Sequence, residues 1–161
     1  MGRRPGPRCR RAQNTPRGGD RLDRVAARRD ALFLVEGRGR HDPHARSYAN
    51  TGYEDDRDLS RVGISLEMFS AYTDGYLSLR AAQLTDTEIG HLAFSARYIT
   101  FEQVLRFLMD YIDGDTYYKI KYPDHNLVRT HAQYRLLQSM EEHYGEMCRI
   151  VDGIAAKYRN A

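Results

Sequence analysis

Between residues 65 and 158 the apolar side chains recur every three or four positions, and this spacing constrains the fold more than any other feature of the sequence. On an α-helix, residues at this spacing form one face that must be buried against a neighbouring element. No segment of strand length alternates apolar and polar residues, so a β-sheet is not expected. The pattern predicts an all-α fold.

Two of the predicted helices carry start signals. Ser65 has the residue type of an N-cap, and the spacing after it predicts a helix from Leu66 to Arg80. Thr85 and Glu88 form a capping-box pattern that begins a long second helix, bent near Tyr98. The predicted stripe of the first helix comprises Phe69, Tyr72, Tyr76 and Leu79, and that of the second comprises Ile89, Leu92, Ala96, Phe101, Leu105, Leu108 and Ile112.

The end of the long helix is marked by Asp113-Gly114-Asp115, a sequence typical of a turn. A third apolar stripe, from Leu127 to Tyr158, predicts either one helix or a pair of helices broken at Gly145. We therefore expect a helical subdomain that packs on something larger.

The basic charge is concentrated at the N-terminus. Residues 1–46 hold 13 Arg, no Lys and 5 acidic residues (net +8), whereas residues 47–161 hold 12 basic and 17 acidic residues (net −5), which together give the formal charge of +3. The first 45 residues are rich in Arg, Gly and Pro and offer too little apolar surface to offset the entropy of ordering. We expect residues 1–45 to be a disordered tail or the product of an out-of-frame start, and residues 46–161 to form the folded domain.

Targeting signals are not evident in the sequence. The longest apolar run of the basic tail, Ala31–Val35, is shorter than the core of a signal peptide, and no segment approaches membrane-spanning length. We therefore expect a cytoplasmic protein with no membrane partner.

Two hypotheses concern macromolecular partners. The Arg-rich residues 1–46 have the charge to bind nucleic acid phosphates but lack the regularly interleaved aromatic residues that stack on bases. Nucleic-acid binding through this tail is therefore an alternative function rather than the leading one. A further alternative is a protein-interaction module in which the stripe from Leu127 to Tyr158 binds a partner helix.

A cluster of polar and aromatic residues lies at the end of the long helix. Arg106 and Asp110 are four residues apart and share a helix face, and the loop after Gly114 can return Tyr117 to the same end. Such groups can hydrogen-bond a polyol, so one interpretation is a sugar-sized site. The other is that Arg106 only pairs with Asp110 while Tyr117 fills the core of the loop.

Three motifs around this cluster are similar, in order and spacing, to motifs of a known family. They are Arg106-Phe107-Leu108, Gly114-Asp115-Thr116-Tyr117 and His125-Asn126-Leu127-Val128-Arg129, preceded by the turn Ala49-Asn50-Thr51-Gly52 and the acidic Glu54-Asp55-Asp56. From about Arg46 to Val151 the chain resembles the C-terminal region of the N-acetylhexosamine 1-kinases. These are aminoglycoside-phosphotransferase-like kinases with a protein-kinase-like fold.

The resemblance implies a kinase that uses ATP and Mg²⁺ to phosphorylate the anomeric hydroxyl of N-acetylhexosamines, with Arg106 and Tyr117 as the sugar-binding residues. In that family a catalytic Asp, in an H-x-D-x-x-x-x-N loop, and a metal-binding Asp both precede the Asn-Thr-Gly turn. No His of this chain has an Asp two positions later, and no nucleotide-binding lobe of strands precedes the turn. We therefore expect the helical, substrate-side part of a kinase C-lobe, inactive alone, with no catalytic or metal-binding residue, and with the missing N-terminal kinase part as its partner.

Overall fold

The computed structural model describes residues 49–159, and within this range it contains helices and no strand. Within residues 49–159, a 3₁₀ turn at Leu59–Arg61 is followed by five α-helices, which we number in chain order. They are α1 (Leu66–Arg80), α2 (Asp86–Gly90), α3 (Leu92–Ile112), α4 (His125–Glu142) and α5 (Tyr144–Arg159). The predicted all-α class is thus confirmed for this range, whereas the predictions for residues 1–45 lie outside it.

Helix α1 begins and ends at the predicted residues, but its buried side chains differ in part from the predicted stripe. Ser65 caps it, since its hydroxyl accepts a hydrogen bond from the backbone N–H of Met68 at 3.2 Å. The buried side chains are Phe69, Thr73 and Leu77, whereas Leu79 is 79% exposed. The predicted stripe was therefore wrong at its C-terminal end, because Leu77 and not Leu79 lies one turn beyond Thr73.

The capping box at Thr85 and Glu88 is present, but the helix that it begins is short. The chain leaves α2 after Gly90, turns at His91 and starts α3 at Leu92. The predicted single helix with a bend near Tyr98 was therefore wrong, because the interruption lies at His91 and α3 continues through Tyr98.

The third stripe forms a pair of helices, and their break lies at His143 rather than at Gly145. His143 donates its backbone N–H to the carbonyl of Ser139 at 3.1 Å, which closes the last turn of α4. Gly145 is instead the second residue of α5.

Two helix pairs enclose the core. Helix α3 packs along α4, α1 packs against α5, and the short α2 also contacts α5. The side chains that are fully buried where these elements meet include Leu77, Ile89, Leu136, Met147 and Val151. Among residues 49–159, no helix is both long enough and apolar enough to cross a bilayer.

The Asn-Thr-Gly turn fixes the segment that precedes α1. Asn50 accepts the backbone N–H of Gly52 through its side-chain oxygen at 3.1 Å, and the Thr51 hydroxyl donates to the carbonyl of Arg61 at 2.7 Å. A Cβ on Gly52 would lie 2.8 Å from the Val62 side chain, so only glycine fits there. Each residue of this turn therefore has a structural role.

Candidate functional site

The chain reverses at the end of α3 through two consecutive residues with positive φ. Gly114 has a φ of 85° and Asp115 a φ of 58°, and the Asp115 N–H donates to the carbonyl of Asp110 at 2.7 Å. Glycine adopts this backbone without strain, and Asp tolerates it better than most residues. The turn brings residues 116–118 back beside the last turn of α3.

Asp110 holds this returning loop. One carboxylate oxygen accepts the backbone N–H of Tyr117 at 2.7 Å, and the other accepts the backbone N–H of Tyr118 at 2.9 Å and the side-chain amide of Asn126 at 2.8 Å. Burial by itself raises the pKa of Asp110, but these hydrogen bonds, with one from the Thr116 backbone, outweigh it and set the pKa below its ordinary value. Asp110 is therefore ionised, and both of its carboxylate oxygens already accept hydrogen bonds.

Asn126, in the first turn of α4, connects three charged residues. Its amide nitrogen donates to Asp110 and also to Asp115 at 2.7 Å, and its oxygen accepts a guanidinium N–H of Arg129 at 3.0 Å. The Asn126 side chain is completely buried. It thereby connects the C-terminal end of α3, the loop and α4.

This arrangement does not fit Mg²⁺. The Asn126 nitrogen lies between the carboxylates of Asp110 and Asp115, in the position that a shared cation would need. In the range 49–159, no group of three His, Cys, Asp or Glu side chains is placed to hold a metal ion.

The two residues assigned to sugar binding lie together on the open side of the loop. The Arg106 guanidinium carbon is 5.9 Å from the ring centroid of Tyr117 and 5.7 Å from that of Tyr118. Tyr117 is 73% exposed, whereas Tyr118 packs its ring on Phe107 at 4.8 Å. This side of the loop therefore presents the guanidinium group of Arg106 beside the accessible ring of Tyr117; we call it the Arg106–Tyr117 face.

The alternative pairing of Arg106 with Asp110 does not occur. Asp110 faces the loop amides and Asn126, and no ion pair between described residues includes Arg106. Tyr117 does not fill the loop core either, because its side chain is exposed and Tyr118 takes the inner position.

A second buried polar group joins the acidic loop to the start of α4. His125 is completely buried, and its Nδ1 accepts the backbone N–H of Lys121 at 3.2 Å, so its Nε2 carries the proton and donates to Asp55 at 3.0 Å. Asp55 also accepts Lys121 Nζ at 3.0 Å. Burial raises the pKa of Asp55, but the hydrogen bonds from Lys121 and His125 outweigh burial and lower it overall.

This geometry predicts a pH-dependent effect of Asp55→Asn. A carboxyl with a folded-state pKa below its unfolded value contributes stability above the unfolded pKa, near 3.8 for Asp55, and loses it as the pH falls through the lower folded pKa. We expect Asp55→Asn to unfold at lower urea concentration than the wild type at pH 7. The two midpoints should converge below pH 3.8, and a difference that is unchanged under strongly acidic conditions would contradict this role.

Sequence reasoning identified Arg106, Asp110 and Tyr117 as neighbours but assigned no role to Asn126 or His125. A signal was available, because both lie within three residues after Pro123 at the start of a predicted helix, where polar side chains can reach the preceding loop. The three motifs quoted from the sequence in fact meet in space around Asp110. No family model matches the sequence.

Proposed function

We propose that this chain is the helical, substrate-side part of the C-lobe of a sugar kinase resembling the N-acetylhexosamine 1-kinases, and that its Arg106–Tyr117 face contacts the sugar. The observation that carries the proposal is the convergence of the three motifs on Asp110. Tyr117 and Asn126, from two of the motifs, hydrogen-bond Asp110, and Arg106, from the third, lies over the rings of Tyr117 and Tyr118.

The exposed chemistry of this face suits a neutral acetamido sugar. A guanidinium offers a rigid set of N–H donors to ring hydroxyls or to an acetamido oxygen. The Tyr117 ring offers an apolar surface to the C–H face of a pyranose, and its hydroxyl offers one more hydrogen bond. Because Asp110 is occupied by the loop, it positions Tyr117 through the backbone and does not itself face the ligand.

Phosphoryl transfer belongs to another part of the kinase in this proposal. Binding of ATP and Mg²⁺ requires a phosphate-binding loop and metal-binding carboxylates. These groups position the nucleotide and neutralise its charge. Within residues 49–159 an amide nitrogen bridges Asp110 and Asp115, which argues against a metal ion between these two carboxylates. The residues described here would bind and orient the acceptor sugar only.

Ligand-observed NMR tests the proposal. With the purified chain, we expect saturation transfer to the acetamido methyl of N-acetylglucosamine and its displacement by N-acetylgalactosamine, with mannitol as a non-binding polyol control. No ATP turnover that depends on the sugar should appear. Absence of transfer, combined with a salt-sensitive RNA gel shift that is lost on deleting residues 1–46, would replace this proposal by the nucleic-acid alternative.

A further inference from the structure

Helix α3 is apolar on the face that points away from the core as well as on the buried one. Tyr98, Phe101, Leu105, Met109 and Ile112, which we call the outer face of α3, follow helical spacing and are each between 40% and 71% exposed. The opposite face buries Ile99, Val104 and Phe107. A contiguous exposed apolar patch of this kind marks an interaction site, so the outer face points to a partner.

The size of the outer face fits a weak, specific interface. It spans about 21 Å at 1.5 Å per residue. At roughly 200 Å² per large side chain, the exposed fractions amount to on the order of 500 Å² per copy. This lies at the upper end for patches on soluble monomers, and two such faces together lie at the lower end for protein complexes.

The pattern is self-complementary about Leu105. In an antiparallel pair with a twofold axis at Leu105, each residue before it meets the residue that lies equally far after it in the other copy. Tyr98 then faces Ile112, and Phe101 faces Met109, so each aromatic ring meets an aliphatic side chain. We propose that the outer face of α3 binds the same face of a second copy of this chain in this antiparallel register.

Charge along the edge of the outer face supports this register. Glu102 and Arg106 flank the face on the same side, and neither belongs to an ion pair between residues of the range 49–159. The twofold about Leu105 places Glu102 of one copy two residues along the axis from Arg106 of the second copy, about 3 Å in rise. By symmetry this edge contains two Glu102–Arg106 pairs and one Arg106–Arg106 pair at the same axial separation, so attractive pairs outnumber the repulsive one. The inference stands without the proposed function.

Sedimentation equilibrium of the full chain tests the pairing. We expect a monomer–dimer equilibrium with a Kd on the order of 10 µM. Leu105→Lys, which buries a charge at the centre of the interface, should weaken it by about 100-fold or more. Leu79→Lys is the matched control, because Leu79 is 79% exposed on α1 and should leave the Kd within about twofold.

The edge charges test the register. Glu102→Arg should weaken dimerisation by about threefold to tenfold, and the exchange E102R/R106E should restore it. Circular dichroism confirms that each variant is folded. A monomer at all concentrations up to about 200 µM would show that the outer face does not pair with a second copy, and would overturn the proposal. A dimer that Leu105→Lys leaves intact, or a charge exchange that restores nothing, would also overturn it.

Discussion

Asn126→Ala should lower the free energy of unfolding by about 2–3 kcal/mol, because it removes three hydrogen bonds at once from a buried and partly buried polar network. Asn126 is fully buried, donates to Asp110 and Asp115, and accepts from Arg129. Alanine makes none of these hydrogen bonds, and it leaves the neighbouring carboxylates of Asp110 and Asp115 without the N–H groups that bridged them. Urea unfolding followed by circular dichroism measures this change as a shift in the midpoint urea concentration. The slope of the unfolding free energy against urea concentration should stay constant.

Gln138→Ala is the matched control for this experiment. It removes a similar side-chain amide from the same helix, but Gln138 is exposed, so its effect should stay within about 0.5 kcal/mol. A loss from Asn126→Ala no larger than that from Gln138→Ala would show that the Asp110 network contributes nothing to stability. The proposed support for the loop at residues 114–118 would then be withdrawn.

The elements that the sequence predicted well are those with a local cause. The start of α1 at Ser65 and the capping box at Thr85 depend on residues within one turn, and the turn at Gly114 depends on a backbone conformation that glycine favours. Such signals act over a few residues and are independent of what packs around them. They therefore survive in the folded protein with their predicted positions.

The predictions that failed depend on contacts between distant residues. Leu79 fits the stripe of α1 by spacing but points to solvent, because α5 covers the face that contains Leu77 instead. Spacing alone also extended the long helix through His91, where the chain instead ends α2 and starts α3. The apolar pattern continues across the break because both helices contribute to one core.

The candidate site likewise contains contacts that local sequence could predict and contacts that depend on distant residues. Arg106 and Tyr117 could be placed near one another from the sequence, since a helix end and a short loop limit the distance between them. The role of Asn126 could not, because it depends on how α4 crosses the end of α3. Helix spacing also suggested a pair between Arg106 and Asp110. In the structure, the backbone N–H groups of the loop donate to the Asp110 carboxylate instead.

Arg106→Lys and Tyr117→Phe should each weaken sugar binding when residues 49–159 are grafted into a complete kinase of the resembled family. Lysine keeps the charge of Arg106 but not its planar set of donors, and phenylalanine keeps the ring of Tyr117 but not its hydroxyl. Each loses on the order of 1–3 kcal/mol of binding, which is about a fivefold to 150-fold rise in KM for N-acetylglucosamine. The KM for ATP should stay unchanged.

Two variants with the same chemistry separate sugar contact from general effects in the grafted kinase. Arg149→Lys and Tyr134→Phe make the same changes on exposed positions of α5 and α4, away from the loop, so they should leave both KM values within about twofold. Because Arg106 and Tyr117 make no hydrogen bond with their side chains among the described residues, their conservative variants should also keep the wild-type unfolding midpoint. Unchanged KM for the sugar in both Arg106→Lys and Tyr117→Phe would show that this face does not contact the acceptor. A rise in sugar KM with an unchanged unfolding midpoint would instead require direct contact, because a purely structural role would change the two together.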